Sequence, residues 1–367
     1  MICRAKSLTF SCSRGFRWNT LLSYSRGANR FAAVEDEDSG RKRTEEKDGG
    51  RVYLHKSRGQ HILTNPRILD SIVRKAEIRP TDTILEIGPG TGNLTLKLLE
   101  AANKVVAVEI DKRMVEILHN RVTDCKLDDR LTVPHNVISQ DALKTQFPQF
   151  DLCIANIPYG ISSPLVVKLL FGGHSFRSAT LLLQKEFARR LLAKPGDSEY
   201  NRLAVNVQLV ATVEFVMDVS KRDFVPCPKV DSSVVKIRPK SEIPDVDLEE
   251  WRAFSRTCFS KKNKTLGAIF KLKRKVQELS RRLCNEPPGA RREINNAYDG
   301  EDEGDDEGEG DEDCGDFMDT GSLKEKIVAI LRAGGFESKR PSKLSVEEML
   351  HLLSLFNQAG IYFHTHR

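Results

Sequence analysis

The chain has 367 residues, of which 39% are hydrophobic and 30% charged, a composition that fits a globular protein of about two domains. No apolar run approaches the roughly 18 residues that a membrane-spanning helix needs, and the eight cysteines form no Cys-x-x-Cys pair. These observations argue against a membrane-spanning protein, a zinc centre and a disulfide framework, and they favour reduced thiols in an intracellular compartment with no metal site.

The first predicted segment is a leader. Residues 1–34 hold six basic side chains and no acidic ones, with serines and apolar residues between the arginines. This composition is typical of a mitochondrial transit peptide and lacks the continuous apolar core of a secretory signal. A basic tail of a nuclear or nucleolar protein is the alternative. The polar residues 35–50 indicate a linker.

Residues 51–245 alternate short apolar segments with amphipathic ones. This alternation predicts an α/β fold with a doubly wound, Rossmann-like sheet. The predicted buried strands cover residues 83–88, 104–110, 150–156 and 179–184, with a late strand at 232–239. The predicted helices between them cover residues 93–102, 112–122 and 164–171.

Residues 246–367 predict a small all-helical domain. Residues 248–283 are helical in pattern and strongly basic, and helical periodicity returns at 323–331 and 346–356. A low-complexity insertion at about 286–320 separates the two helical parts. Its residues 299–319 hold 13 acidic side chains and no basic ones, which predicts disorder.

The net charge of +6 is therefore unevenly distributed. Without the six basic charges of the leader and the 13 acidic charges of the insertion, the rest of the chain carries +13. A basic body suits a polyanionic partner such as RNA, although a soluble surface rich in lysine also fits the charge. The predicted phosphate contacts, for which a solvated helix face is the alternative, are Lys261, Lys262, Lys264, Lys271, Lys273 and Arg274.

A glycine-rich turn follows the first predicted strand of the sheet. The segment LEIGPGTGNLT (85–95) has Gly88, Gly90 and Gly92 in a G-x-G-x-G spacing, with Glu86 just before them. Glycine lets the backbone approach a ligand closely, and the following helix offers free N–H groups at its N-terminus. The spacing resembles motif I of S-adenosylmethionine-dependent methyltransferases.

Two further carboxylates follow predicted strands. Glu109 lies about 20 residues after the glycines, where a carboxylate accepts hydrogen bonds from ribose hydroxyls in Rossmann-like folds. A helix cap is the alternative, but Asp111 is placed for that role. Asp141, after another short apolar segment, suits the amino group of an adenine, and it equally suits a helix N-cap.

The strand at 150–156 ends in an unusual sequence, Asn156-Ile157-Pro158-Tyr159. An amide, a proline without an N–H and an aromatic ring make a poor strand end. They suit the floor of a site for a flat substrate with polar edges.

Five stretches together resemble the ribosomal RNA adenine N6,N6-dimethyltransferase family, the KsgA-type enzymes and their eukaryotic relatives. They are KSRGQHIL (56–63), EIGPGTGNLT (86–95), NIPYGISSP (156–164), FVPCPKVDSSVV (224–235) and FSKKNKTL (259–266). The resemblance covers nearly everything from residue 56 to the C-terminus. It implies a Rossmann-like methyltransferase domain, S-adenosyl-L-methionine as cofactor and dimethylation of N6 of two adjacent adenosines near the 3′ end of small-subunit rRNA.

The resemblance also implies roles for individual residues. The cofactor-binding positions fall on His61, Leu63, Gly88, Glu109, Asp141 and Asn156. The sequence departs from the family pattern in the long segment before Asp141, in Ile157 where leucine is commoner, in Cys227 where proline is usual, and in the acidic insertion.

The predicted catalytic residues are Asn156, Pro158, Tyr159 and Phe224. The amine of adenine is a weak nucleophile because its lone pair is delocalised into the ring. The Asn156 side-chain oxygen and the carbonyl of Ile157 or Pro158 are expected to accept its N–H bonds, which requires no general base. Tyr159 is expected to stack on the swung-out base, with Phe224 on its other face; buried core aromatics are the alternative.

The sequence thus predicts a monomeric mitochondrial enzyme that acts on small-subunit rRNA within an assembling ribosomal subunit. One rival is a mitochondrial transcription factor of the B type, which shares this fold and in which contact with RNA polymerase outweighs methylation. The other is an assembly factor whose presence matters more than its chemistry.

Overall fold

The computed structural model describes residues 31–34, 52–55, 60–132, 141–283 and 320–363, with only the backbone described in the first two ranges. The predicted linker lies outside these ranges. So do the predicted leader, apart from residues 31–34, and the predicted acidic insertion, apart from Thr320. None of the described helices is both long and apolar enough to cross a bilayer.

The chain divides into two units, residues 1–60 and 61–367. In the first unit, β1 (Phe31–Val34) and β2 (Val52–His55) pair in parallel. Neither strand is predicted from the sequence.

The second unit is built on a seven-stranded sheet and one short strand pair. Its strands are β3 (Ile62–Leu63), β4 (Thr83–Ile87), β5 (Lys104–Val108), β6 (Leu131–Thr132), β7 (Leu152–Asn156), β8 (Ser178–Gln184), β9 (Ala211–Val219), β10 (Phe224–Val225) and β11 (Ser232–Pro239). The sheet order is β6-β5-β4-β7-β8-β11-β9, with β11 antiparallel to both of its neighbours. The short strands β3 and β10 pair separately and antiparallel.

The predicted strands of the sheet are confirmed, and β9 is the longest strand that the sequence analysis missed. β9 lies at the edge of the sheet, and most of its residues are at least partly exposed. An edge strand does not need the continuous apolar run that identifies a buried parallel strand. The pattern used to find the central strands was therefore too strict for it.

Helices cover both faces of the sheet and form the C-terminal part. Beside the sheet they are α1 (Pro66–Ala76), α2 (Asn93–Ala101), α3 (Lys112–Asp124), α4 (Ser162–Phe171), α5 (Lys185–Leu192) and α6 (Arg202–Val210). The C-terminal helices are α7 (Leu248–Cys258), α8 (Leu266–Phe270), α9 (Lys273–Leu283), α10 (Thr320–Ala333) and α11 (Val346–Gln358). The side chains of Asn65, Asp111, Asp247 and Ser345 cap the starts of α1, α3, α7 and α11.

Alternate residues of the central strands belong to two different hydrophobic clusters. Ile84 and Val105 pack with α1, α2 and α3, whereas Leu85 and Val106 pack in the cluster that contains α4, α5 and α6. A strand with both faces buried in this way has a continuous apolar sequence. This is why β4 and β5 were predicted correctly from the sequence.

The C-terminal helices share the second of these clusters, so one continuous core joins them to the sheet. Phe254 is fully buried and lies 5.0 Å, centroid to centroid, from the ring of Phe363. The buried carboxylate of Glu250 accepts hydrogen bonds from the Phe363 N–H at 3.0 Å and from the Asn357 side chain at 3.2 Å. These contacts fix the end of the described chain against α7.

Candidate active site

Three neighbouring strands end at the same edge of the sheet. β4 lies between β5 and β7 and is parallel to both, and Ile87 at the end of β4 is in register with Val108 at the end of β5. Gly88 and Glu109 each follow directly, and Asn156 ends β7. From β4 the chain runs outward through β5 and β6, and it then returns to β7 on the other side of β4. The strand order therefore reverses beside β4, and open α/β sheets bind ligands at such a switch point.

The glycine turn needs glycine for its backbone. Gly88, Gly90 and Gly92 have φ values of +68°, +55° and +85°, in the left-handed region. A Cβ at Gly92 would lie 2.6 Å from Leu118 Cδ1, whereas a Cβ at Gly90 would meet nothing within 4 Å. The turn therefore packs tightly on the α3 side and leaves open space at Gly90, beside the N-terminus of α2.

The Glu109 carboxylate faces the glycine turn. Its Oε2 accepts a hydrogen bond from the Gly90 N–H at 3.1 Å, and its Oε1 accepts from Ile110 N–H and Asp111 N–H, both at 3.0 Å. Burial raises the pKa of Glu109, and the backbone N–H groups counteract that rise. The N-cap of α3 is Asp111, so capping does not account for Glu109.

Glu86 is a buried group whose behaviour the sequence analysis did not predict. It is 1% exposed beneath the turn, and neither its Oε2 nor the Thr91 hydroxyl has a hydrogen-bond partner among the residues that the structure describes. Burial raises the pKa of Glu86 to about 8, and the negative charge of Glu109 adds to the rise. Glu86 is therefore protonated at neutral pH in the folded protein.

Replacing Glu86 by glutamine is expected to change how stability depends on pH. The carboxyl has a pKa of about 8 in the folded protein against its usual 4.5, so the unfolded state loses its proton first as the pH rises. Wild-type stability therefore falls between these two pH values. In Glu86→Gln the side chain is an amide that does not titrate, so the stability of the variant does not fall over this pH range. The variant should become the more stable protein as the pH approaches 8, by roughly 2 to 4 kcal/mol. Thermal unfolding from about pH 5 to about pH 8 measures this, and parallel curves for the two proteins would refute it.

A second chain segment borders the turn from the N-terminal side. β3 and β10 bring Leu63 into register with Phe224, and His61 Nδ1 lies 2.8 Å from the Pro226 carbonyl oxygen. The Leu63 carbonyl accepts a hydrogen bond from the Asn93 side chain, the first residue of α2, at 2.9 Å. His61 and Leu63 are thus held beside the glycine turn, and their roles in cofactor binding stay a prediction.

The Asn156 side chain has a defined orientation. Its Nδ2 donates to the His61 carbonyl at 3.0 Å, so its Oδ1 is left as an acceptor with no partner among the described residues. The Pro158 carbonyl already accepts from the Ile161 N–H at 3.1 Å and lies 3.5 Å from the Ser162 hydroxyl. The Ile157 carbonyl accepts no hydrogen bond from the part of the chain that the structure describes. Of the two backbone acceptors predicted, Ile157 is therefore the available one.

Tyr159 and Phe224 differ in their surroundings. Tyr159 is half-buried, its hydroxyl lies 2.8 Å from Ser232 Oγ, and its ring stacks beside His61 at a centroid distance of 6.1 Å. Phe224 is 3% exposed and packs in the core with Leu63 and Leu69. A buried ring presents no face to a base, so this placement favours the core alternative for Phe224 over the stacking role predicted for it.

Asp141 starts a turn that Lys168 holds in place. Asp141 Oδ1 accepts from the Leu143 N–H at 2.9 Å, which uses one carboxylate oxygen as a turn cap. Lys168 Nζ, on α4, donates to the carbonyls of Ala142 at 2.7 Å, Leu143 at 3.0 Å and Thr145. Burial lowers the pKa of Lys168, and the charge of Asp141 opposes that change. No local sequence signal pointed to Lys168, because its partners lie more than 20 residues away.

Replacing Lys168 by methionine is expected to weaken cofactor binding more than the chemical step. Three carbonyls would lose their donor and the turn that carries Asp141 would shift. We expect the Kd for S-adenosylmethionine to rise about tenfold, measured by isothermal titration calorimetry, with kcat at saturation changed much less. Lys144→Met, at an exposed lysine of the same turn, is the matched control. Equal affinities for the two variants would exclude a positioning role for Lys168.

The predicted phosphate contacts lie around α8. Lys261, Lys264, Lys273 and Arg274 are exposed, and Lys262 is half-buried. Lys271 instead forms an ion pair with Glu337 at 2.8 Å, and Glu337 also accepts from Arg332 at 2.7 Å. A phosphate contact by Lys271 would have to compete with this exposed ion pair, so its predicted role stays a prediction. The other five cations remain candidates.

Comparisons with known proteins identify the family of the chain. Residues 52–287 match the family model described as ribosomal RNA adenine dimethylase. The chain is 64% identical over 322 residues to the mitochondrial ribosomal RNA small subunit methyltransferase of Arabidopsis thaliana, covering 87% of this chain and 83% of that protein. A second A. thaliana ribosomal RNA small subunit methyltransferase is 49% identical, over 86% of this chain and 93% of its own length.

A solved structure gives the same result for the fold. The crystal structure of a dimethyladenosine transferase from Plasmodium falciparum has a TM-score of 0.67 and 38% identity to this chain, covering 82% of this chain and 99% of that one. The Rossmann-like methyltransferase fold predicted from the sequence is confirmed.

Proposed function

Because the chain belongs to the ribosomal RNA adenine dimethylase family, we propose that it dimethylates N6 of two adjacent adenosines near the 3′ end of a small-subunit rRNA. The reaction class itself is S-adenosylmethionine-dependent dimethylation of rRNA adenines. The family is described as ribosomal RNA adenine dimethylase, and the relatives are named as a ribosomal RNA small subunit methyltransferase and dimethyladenosine transferases. The relatives favour this activity over the transcription-factor alternative. The positions of the modified adenosines and the residue roles below are our proposal.

The residues at the glycine turn fit S-adenosylmethionine. We use the word cradle for the open space at Gly90 together with the N–H groups at the start of α2. The Glu109 carboxylate lies beside this cradle and can accept hydrogen bonds from ribose hydroxyls. The Asp141 Oδ2, which has no hydrogen-bond partner among the described residues, suits the adenine amino group. His61, Leu63 and Gly88 border the methionine end. When bound there, the cofactor supplies an electrophilic methyl group on a sulfonium.

One observation carries the proposed mechanism: two unengaged acceptors, Asn156 Oδ1 and the Ile157 carbonyl, lie next to the glycine turn. A Cβ at Gly88 would lie only 3.6 Å from the Asn156 carbonyl oxygen and 3.5 Å from Pro158 Cδ, so the two turns touch. Each acceptor takes one N–H of the adenine amine. This draws the nitrogen lone pair out of conjugation and aims it at the methyl group.

Proton transfer needs no base in this site. After the nitrogen attacks, it is cationic and acidic, so it releases its proton to solvent. Neither a histidine nor a carboxylate occurs between Asn156 and Pro164, and the His61 Nδ1 is engaged with the Pro226 carbonyl. The rate enhancement then comes from positioning and hydrogen bonding, with Tyr159 as the stacking surface for the base.

The second methylation requires room for the first methyl group. Gly160 is exposed, and a Cβ there would meet nothing within 4 Å. Ser162, the other small residue considered, is buried beneath the turn. We propose that the space at Gly160 accommodates the methylated amine, while the remaining N–H keeps one of the two acceptors.

We propose the mitochondrial small subunit as the site of action, with the rRNA inside an assembling subunit and the enzyme as a monomer. The mitochondrial name of the A. thaliana relative and the composition of residues 1–34 support the compartment. Primer extension, which stops at N6,N6-dimethyladenosine, tests both points in cells with and without the protein. Loss of paired stops in mitochondrial rRNA alone supports the proposal. Loss in cytosolic rRNA alone would refute the compartment, and no loss anywhere would refute the activity.

A further inference from the structure

A shallow groove runs between α5 and the edge strand β9, with a volume of about 240 Å³. Its walls include Lys185, Ala188 and Arg189 on α5, and Phe215 on β9, with Ser233 beneath them. Phe215 is 55% exposed, although phenylalanine is usually buried. Among the residues that the structure describes it is the most exposed phenylalanine, and the catalytic proposal does not use it.

The acidic side chains around the groove are already engaged. Asp218 is held by Lys185 at 2.8 Å and by the Ser233 hydroxyl at 2.6 Å. Glu186 pairs with Arg190, and Glu214 pairs with Arg238. The carboxylates near Phe215 are therefore neutralised within the protein.

Several cations nearby are not engaged in this way. Arg189 is exposed and lines the groove, and Lys221, Arg222 and Lys229 are exposed between the end of β9 and the start of β11. None of these four side chains has an ion-pair partner among the described residues. Asp218 also lines the groove and attracts Arg189, and Asp223 and Asp231 lie in the same segment as the three other cations. The groove and its surroundings thus combine an exposed aromatic face with a small excess of positive charge.

The groove is close enough to the methyl-transfer site for one RNA strand to reach both. β9 is three strands away from β7, which carries Asn156, so the two are about 14 Å apart across the sheet. Lys221 and Arg222 follow the end of β9 at the edge where Asn156 ends its strand. Ser232, next to Ser233 of the groove, contacts the Tyr159 hydroxyl. A chain of a few nucleotides would pass over these cations between the two places.

We propose that this groove binds an unpaired nucleotide of the RNA substrate, a short distance along the strand from the target adenosine. Phe215 stacks on the base, and Arg189 contacts a neighbouring phosphate. Stacking on an aromatic side chain and neutralising phosphates with cations are interactions that bind single-stranded RNA without reading its sequence. The inference rests on the proposed function, because it assumes that RNA occupies the methyl-transfer site.

The test measures RNA binding and methyl transfer separately. A short, fluorescein-labelled, single-stranded RNA with two adjacent adenosines is titrated with the full-length chain, with fluorescence anisotropy as the readout. Phe215→Ala should raise the Kd for this RNA about tenfold, whereas Phe215→Trp, which keeps an aromatic ring, should have a Kd close to that of the wild type. Arg189→Gln should weaken binding and reduce the slope of log Kd against log salt concentration by about one. Ile243→Ala, at another exposed apolar residue, and Arg74→Gln, on α1, are the matched controls and should bind normally.

The outcomes separate the groove from the proposed function. If all variants bind RNA equally while the wild type methylates small-subunit rRNA, the groove proposal is overturned and β9 is left to another partner, such as an added peptide strand. If the wild type transfers no methyl group yet Phe215→Ala still loses affinity, the groove stands and the proposed function fails. A loss of affinity that Phe215→Trp does not reverse would also overturn the stacking role.

Discussion

Asn156→Ala is expected to lower kcat for adenosine methylation by about 10² to 10³, the effect of removing one preorganised hydrogen-bonding group from a reacting centre. The substitution removes Oδ1, one of the two acceptors that hold the amine. It also removes the Nδ2 donor that fixes the side chain to the His61 carbonyl at 3.0 Å. Single-turnover transfer of labelled methyl groups to small-subunit rRNA measures the loss.

The control for this substitution is Asn103→Ala. Asn103 is an exposed asparagine just before β5, at the opposite edge of the sheet, and its replacement should leave kcat unchanged. Thermal stability of Asn156→Ala, measured on the same preparation, should stay close to that of the wild type. Because Asn156 also holds the His61 carbonyl, kcat is compared at saturating cofactor. A kcat within a few-fold of wild type would mean that the Asn156 side chain is not the acceptor.

Phe254→Ala is expected to destabilise the second unit by about 3 to 5 kcal/mol, the range for removing a buried aromatic ring from a packed core. Phe254 is fully buried, and its ring lies 6.1 Å from Trp251, 6.3 Å from Phe356 and 5.0 Å from Phe363. The unfolding temperature should fall by roughly 10 °C. Differential scanning calorimetry measures the shift.

The shape of the calorimetric transition carries separate information. One hydrophobic cluster joins the C-terminal helices to the sheet, so we expect a single transition that moves as a whole. The exposed Phe215 provides the control, because Phe215→Ala removes a ring from the surface and should shift the transition little. Two separated transitions in Phe254→Ala would show that the helices and the sheet unfold independently.

Sequence reasoning predicted that three candidate site residues lie at strand ends, and the structure has them at one edge of the sheet. Gly88, Glu109 and Asn156 each follow or end a continuous apolar run, and parallel strands bring such positions to one edge. The residue types then indicate chemistry, because a glycine turn, a carboxylate and an amide each suit one kind of ligand atom. This part of the site needs only local patterns and one topological rule.

The features that were missed depend on contacts between distant parts of the chain. Lys168 contacts carbonyls 23 to 26 residues before it, and His61 contacts Pro226 across 165 residues. Neither contact has a local period or motif. The burial of Phe224 is a similar case, because an aromatic residue beside a proline loop has the same sequence whether its ring faces a ligand or the core.

The pairing of β3 with β10 also determines when the site can form during synthesis. Leu63 and Phe224 are partners in register, so the N-terminal border of the site is incomplete until the ribosome has made the chain beyond residue 226. The glycine turn, Glu109 and Asn156 are all synthesised earlier. A nascent or truncated chain that ends before β10 would contain every residue of the cradle and still lack the contact that holds His61 and Leu63 against it. Any cofactor contact that depends on His61 and Leu63 therefore has to wait for a segment made more than 160 residues later.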